Sequence, residues 1–235
     1  MQSVFNKLNE LAAYAAEENP DFILLTETWC NSMISNAALT LPGYQLETDL
    51  RIDRENTTNG IGGGLLVYTK DGIKVTTCKQ LENYKLTQYC AFSIMTGKEP
   101  VNIVLVYRPP NNDKTNMDEL CKLVRNLPKN TILIGDINFP KIDWSGDGGG
   151  GGGGGGAFFS AVQDSNLEQL IHFPTHKKGN TLDLLLTNIP NNILAISNSP
   201  PLGKSDHCVI LAEVFLPTLE KKNKRKIENW ALECR

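Results

Sequence analysis

The sequence predicts an α/β (α+β) sandwich, with sheets inside and helices outside. Three observations carry this. Apolar runs of strand length recur along the whole chain. Few segments show helical periodicity, and they are interleaved with those runs. With 40% hydrophobic and 21% charged residues among 235, the chain can fill the core of one domain, which excludes wholesale disorder.

The elements follow in order. Val4, Leu8, Leu11, Ala12 and Ala15 recur at helical spacing and predict a helix over 4–18. Asn19-Pro20 stops it, because the residue before proline is pushed out of the helical region. Residues 21–26 form a short apolar run, typical of a strand buried on both faces. Further strands are expected at 64–69, 86–95, 101–107, 131–135, 181–186, 193–197 and 208–215. Helices are expected at 117–126 and 157–165. Ten of the 20 glycines fall within 146–156, nine of them unbroken, which reads as a flexible surface loop inside the domain. A phosphate-cradling loop is not expected there, because no lysine follows in a strand-turn-helix frame.

The formal net charge is −3, which argues against coating nucleic acid by bulk positive charge. The charge is unevenly spread. The last sixteen residues hold six basic and three acidic side chains, so the body is acidic and the tail basic. Within the tail, 221–226 reads KKNKRK, either a nuclear-import or phosphate-binding patch or a solvated linker. The six cysteines lack metal-ligand spacing and the chain is long enough to fold without staples, so a reduced setting is expected. No apolar run reaches membrane-spanning length, and the first residues lack a signal-peptide core.

Several apolar strands end in polar clusters. The first runs out at Glu27, the 101–107 strand at Tyr107 and Arg108, and the 131–135 strand at Asp136 and Asn138. Each residue has a plain alternative. Glu27 could be a solvated strand end, and Asp136 with Asn138 could be turn chemistry. Asp183 is harder to dismiss. A carboxylate inside TLDLLL is at least half buried and needs a partner, for which His207 is the natural candidate. His172 and His176 lie in a polar loop and are expected to be solvated, with His176-Lys177-Lys178 able to touch phosphates.

Seven segments fall in one order: Thr26-Glu27-Thr28-Trp29, Gly62-Gly63-Gly64-Leu65, Tyr107-Arg108-Pro109-Pro110, Gly135-Asp136-Ile137-Asn138 with Asp143-Trp144, Pro174-Thr175, Leu182-Asp183-Leu184 and Ser205-Asp206-His207. No one of them is decisive alone. The ordered set resembles the endonuclease/exonuclease/phosphatase superfamily. More narrowly, it resembles the apurinic-type endonuclease domain of non-LTR (LINE-type) retrotransposon proteins. TETW and YRPP favour that branch over a phosphatase or lipid phosphodiesterase. The resemblance implies a four-layer α/β-sandwich of two packed mixed sheets flanked by helices. It implies a nuclease-type domain over 1–216. Residues 217–235 would be a basic linker toward a reverse transcriptase.

The resemblance also implies a chemistry: Mg²⁺-dependent nicking of double-stranded DNA that leaves a 3′-hydroxyl for target-primed reverse transcription, with Mn²⁺ able to substitute. Mg²⁺ suits carboxylate and phosphate oxygens and acts as a Lewis acid on the phosphoryl group. Glu27 would be its principal ligand, with Asp206 beside it. Asp136 would orient and deprotonate the attacking water. Asn138 and the Tyr107 hydroxyl would contact the phosphate. His207 would donate to it, with Asp183 fixing the imidazole tautomer and favouring its charged form. Arg108, Ser205 and Thr175 would line the substrate side, Ser205 supporting rather than reacting. Loops at 46–59, 111–116 and 188–204 would face the DNA. The site of action would be nuclear, with no secretion and no membrane. Engagement of DNA would be weak, transient and dependent on the divalent ion, given the acidic body.

The chain departs from the family at its front. Family members begin with a strand ending in Asn, and this chain starts at Met1-Gln2-Ser3, just past it. A lost strand would leave backbone groups of its neighbours unpaired. A lost Asn implies nicking lowered by roughly two to three orders of magnitude, or none. A non-catalytic remnant that binds DNA or protein is the alternative from another class.

Overall fold

A computed structural model describes residues 4–54, 62–82, 84–86, 88–97, 99–110, 114–144, 154–216 and 224–231. The glycine tract over 146–153, residues 55–59 of one expected DNA-facing loop and 111–113 of another lie outside them.

The expected first helix resolves into a 3₁₀ turn, Val4–Lys7, and helix α1, Leu8–Glu18. Asn19 closes it in the left-handed region, its N–H bonding back to the Ala15 carbonyl. Strands follow as β1 (Phe22–Thr26), β2 (Tyr44–Leu46), β3 (Leu66–Lys70), β4 (Thr76–Thr77), β5 (Tyr89–Met95) and β6 (Pro100–Tyr107). After helix α2 (Lys114–Arg125) come β7 (Thr131–Asp136), helix α3 (Gly155–Asp164), β8 (Glu168–Gln169) and β9 (Asp183–Thr187). The last strands are β10 (Ile193–Ser199), β11 (Val209–Phe215) and β12 (Lys224–Ala231).

Two six-stranded mixed sheets result, ordered β10-β11-β12-β1-β3-β2 and β4-β5-β6-β7-β9-β8. The alternation of side chains along each strand builds the layers. Phe22, Leu24, Val67, Ile103, Leu105, Ile132, Ile134 and Leu185 meet between the sheets. Ile23, Leu25, Leu66 and Tyr68 face the other way, against Leu11 and Ala15 of α1. Val104, Val106, Leu133 and Leu184 pack against α2 and α3. That is the expected four-layer sandwich. It explains why β1 reads as one continuous apolar run: both its faces are covered.

β6 and β7 run parallel, joined through α2, with Tyr107 opposite Asp136. One residue earlier, Gly135 sits at φ +148, where a Cβ would lie 1.8 Å from the Val106 carbonyl oxygen. Only glycine lets the two strands approach that closely, and this approach sets the height at which Asp136 leaves the sheet.

The tail is where the structure differs most from the expectation of a linker. β12 runs parallel to β1, from Phe22 opposite Ile227 to Thr26 opposite Ala231. It also runs antiparallel to β11, from Val209 opposite Trp230 to Phe215 opposite Lys224. β12 thus has a hydrogen-bonded neighbour on each side, β1 and β11. Lys224, Arg225 and Lys226 of the basic run form its first half, while 221–223 lie outside the described residues. A run of like charges reads as solvated tail, which hides the strand-forming Ile227 and Trp230 behind it.

A chain ending at Leu216 loses a strand with a neighbour on either side. Its urea unfolding should lose its cooperative transition or shift it by several molar-scale steps, to the order of the roughly 5–15 kcal/mol that holds a domain together. An unchanged midpoint would show that β12 contributes nothing to the sheet.

Candidate active site

Glu27 leaves the end of β1 in the left-handed region, at φ +55, and its side chain is 6% exposed. Two donors meet its carboxylate at Oε2: the Trp29 indole Nε1–H at 2.6 Å and the Gly63 N–H at 2.8 Å. Gly63 belongs to the Gly62–Gly64 turn, all three residues with positive φ. The turn is held against the end of β1 by Thr28 N–H to the Gly64 carbonyl, 3.2 Å, and Trp29 N–H to the Gly63 carbonyl, 2.9 Å. A Cβ on Gly64 would lie 2.4 Å from Thr28 Oγ1, so the turn can close only on glycine.

The turn is tied to the second sheet by Gln88, a residue the strand pattern passed over. Its side chain is buried, and its Oε1 accepts from Gly64 N–H at 2.7 Å. Its backbone carbonyl accepts from Tyr107 N–H at 2.9 Å. Tyr107 stands opposite Asp136 across β6 and β7, and Asp136 opposite Asp183 across β7 and β9. A single line of contacts therefore runs from Glu27 on one sheet to the acids on the other. Within the expected strand 86–95, Gln88 is the one residue with an amide side chain, beside the hydroxyls of Thr87 and Ser93, and that was the available signal.

Asp136 is buried, and its Oδ2 accepts from Asn138 Nδ2 at 3.1 Å, with Asn138 at φ +57. Arg108 is buried beside them. Its N–H donates to the Asp136 carbonyl at 2.8 Å, its Nη1 donates to the Asn138 carbonyl at 3.0 Å, and its guanidinium lies 4.1 Å over the Phe139 ring. Burial lowers its pKa, partly countered by the nearby Asp136 charge. So Arg108 grips the loop that carries Asn138.

The Asp183 and His207 side chains are 0% and 1% exposed and meet at 2.7 Å, Oδ2 to Nδ1. A carboxylate on Nδ1 places a proton there and turns Nε2 away from Asp183. Thr175 Oγ1 accepts from the Leu182 and Asp183 N–H groups at 2.9 and 3.1 Å, and the Thr175 carbonyl accepts from Cys208 N–H at 2.9 Å. Thr175 thus locks the strand bearing Asp183 to the segment bearing His207. Ser205 Oγ accepts from His207 N–H at 3.2 Å. His176 corrects the expectation of a solvated ring: it is buried, edge-on to His207 with ring centres 4.9 Å apart, while His172 is exposed. The cause is local pairing, since His176 and His207 form a backbone bridge. Asp206 Oδ1 pairs with the Lys177 ammonium, on a side chain that stays largely exposed.

Among the described residues, no three His, Cys, Asp or Glu side chains close around a point to form a metal cage. The Glu27 carboxylate, buried and bonded through Oε2 to two donors, offers hard oxygen of the kind that divalent cations such as Mg²⁺ and Mn²⁺ take. Burial pushes Cys30 and Cys208 up to about 11 and Cys90 up to about 12, so none of these three is a thiolate near neutral pH. No helix of the described residues is long and apolar enough to cross a membrane.

Removing the imidazole leaves the Asp183 carboxylate buried without its partner. His207→Ala should cost about 3–5 kcal/mol in urea unfolding. Adding Asp183→Leu should recover part of it. A single-variant loss below about 1 kcal/mol, the scale of an exposed pair, would show that the two side chains are not paired in the folded chain.

Residues 101–211 match the family model described as endonuclease–reverse transcriptase. No curated protein matches the chain. Among solved structures, the endonuclease domain of TRAS1, a telomere-specific non-LTR retrotransposon, superposes with a TM-score of 0.68 at 18% identity, covering 90% of this chain and 93% of that one. The 3′ phosphatase NExo from Neisseria gives 0.65 at 16%, over 90% and 95%. An AP endonuclease from Archaeoglobus fulgidus gives 0.65 at 12%, again over 90% and 95%. At these identities the likeness is one of fold. Over nine-tenths of its length the chain has the fold of these solved nucleases and phosphatases, and its stretch from β6 into β11 is similar to the endonuclease–reverse transcriptase family.

Proposed function

We propose that this domain is a Mg²⁺-dependent DNA endonuclease that nicks double-stranded DNA and leaves a 3′-hydroxyl for target-primed reverse transcription. The observation that carries the reading is the buried run of polar groups from Tyr107 through Asp136 and Asp183 to His207, fixed by strand register and by the 2.7 Å Asp183–His207 contact. A structural core has no use for two carboxylates and an imidazole at that depth, while hydrolysis of a phosphodiester has.

In this reading Glu27 holds the cation, and Asp206, shared with Lys177, stands second. When bound, the ion supplies Lewis-acid polarisation of the phosphoryl group and relief of charge on the leaving oxygen. Asp136 takes the proton of the attacking water, with Asn138 holding its other side. His207 donates to a phosphate oxygen from Nε2 as the imidazolium, with its Nδ1–H held by the Asp183 carboxylate, whose negative charge favours the doubly protonated ring. The Tyr107 hydroxyl adds a second donor to that phosphate. Arg108 and Thr175 act at one remove, by fixing the Asn138 loop and the Asp183 strand. Ser205 holds the His207 backbone.

Incubating supercoiled plasmid with the protein and Mg²⁺ tests this. The expected result is slow conversion to nicked circles, whose ends a polymerase extends without prior phosphatase treatment. Asp136→Ala should abolish the conversion. Nicking that persists in Asp136→Ala would overturn the assignment. Preferential hydrolysis of small phosphomonoesters would favour a phosphatase of the same fold. Absence of any hydrolysis would favour a DNA- or protein-binding remnant.

A further inference from the structure

We propose that Trp29 is a positioning residue for the divalent cation, acting through its indole N–H on the Glu27 carboxylate. This rests on the proposed reading that Glu27 holds the ion. In an extended strand, the Cα atoms of residues two apart are about 6–7 Å from each other and their side chains run side by side. Here the two side chains converge, Trp29 Nε1 donating to Glu27 Oε2 at 2.6 Å. The approach is made by the backbone: Glu27 and Trp29 both take left-handed conformations, at φ +55 and +56, on either side of Thr28. Such conformations are strained for side chains of this size and persist only where surrounding contacts impose them. The contacts are the Thr28 and Trp29 N–H groups bonded to the Gly62–Gly64 turn.

The consequence is a carboxylate with two donors on the same oxygen, Trp29 Nε1 and Gly63 N. One donor would allow the carboxylate to rotate about that bond. Two fix its plane, and a fixed plane presents one geometry to a small, geometrically strict cation. The donor is itself tuned. The Arg54 guanidinium lies 5.3 Å from the centre of the Trp29 ring, and Arg54 N–H is anchored on the Cys30 carbonyl at 2.7 Å. A cation on the ring face draws electron density from the indole and makes its N–H a stronger donor. Packing alone does not account for this arrangement, since a phenyl ring would fill the same half-buried place beside the α1 layer without reaching the carboxylate.

The test is calorimetric titration of the whole chain with Mn²⁺ alone, checked by electron paramagnetic resonance of the free ion. Four proteins are compared: wild type, Glu27→Gln, Trp29→Phe, and a chain carrying benzothienylalanine at position 29, which keeps the indole shape and lacks the N–H. Wild type should bind, and Glu27→Gln should not. Both position-29 variants should bind about 10–100-fold more weakly, the usual cost of losing a partner of a metal ligand, with melting midpoints close to wild type. Wild-type affinity in the benzothienyl chain would overturn the positioning role, and it decides even if the Phe variant fails to fold. No binding by wild type, or equal binding by Glu27→Gln, would instead remove the reading of Glu27 as the metal carboxylate, and the positioning role with it.

Discussion

The buried Gln88 amide joins a three-glycine turn on one sheet to the last residues of a strand on the other. Two sheets packed face to face need such a tie. Apolar contacts between their inner faces are strong but non-directional, and they tolerate sliding of one sheet along the other. The Gln88 bonds are directional and sit in a place shielded from water, where leaving them unmade is costly. They fix which strand ends face each other. Glu27 belongs to the first sheet and Asp136 to the second, so their relation depends on this tie more than on any local feature of either strand.

From there the arrangement follows by register. A parallel pair sets Asp136 beside Tyr107, and an antiparallel pair sets Asp183 beside Asp136. Gly135 draws β7 close to β6 just before Asp136 emerges. The segment ending in His207 then closes over Asp183, pinned by Thr175 from below. Asp136 and Asp183 are therefore carried on strands, while Glu27 is held by its two donors and Asp206 pairs with the largely exposed Lys177.

Much of this was readable beforehand, because the signals are local. Apolar runs marked β1, β6, β7, β9 and β11; the first four are buried along nearly their whole length, while β11 alternates buried and exposed positions toward Glu213 and Phe215. The polar residues at their ends marked the site, and Asp183 within an apolar run implied a buried partner that His207 supplies. What stayed hidden depends on long-range pairing. Nothing in the sequence of Gln88 says that its amide meets a turn 24 residues earlier. The burial of His176 comes from a bridge to a residue far along the chain. Arg108 was expected on the substrate side; its guanidinium bonds the Asn138 carbonyl and lies over the Phe139 ring, contacts that depend on how its own loop folds. β12 was hidden by composition, because a basic run reads as solvent-exposed until a sheet with an open place takes it up.

Replacing Gln88 probes this tie directly. Gln88→Leu keeps the volume and removes the bond to Gly64, so each sheet can still fold while the tie between them is lost. Plasmid nicking with Mg²⁺ is expected to fall by about 10²-fold, the usual consequence of misplacing catalytic groups by about 1 Å, while circular dichroism shows the native fold. Nicking at the wild-type rate by a folded Gln88→Leu protein would show that the tie does not set the site.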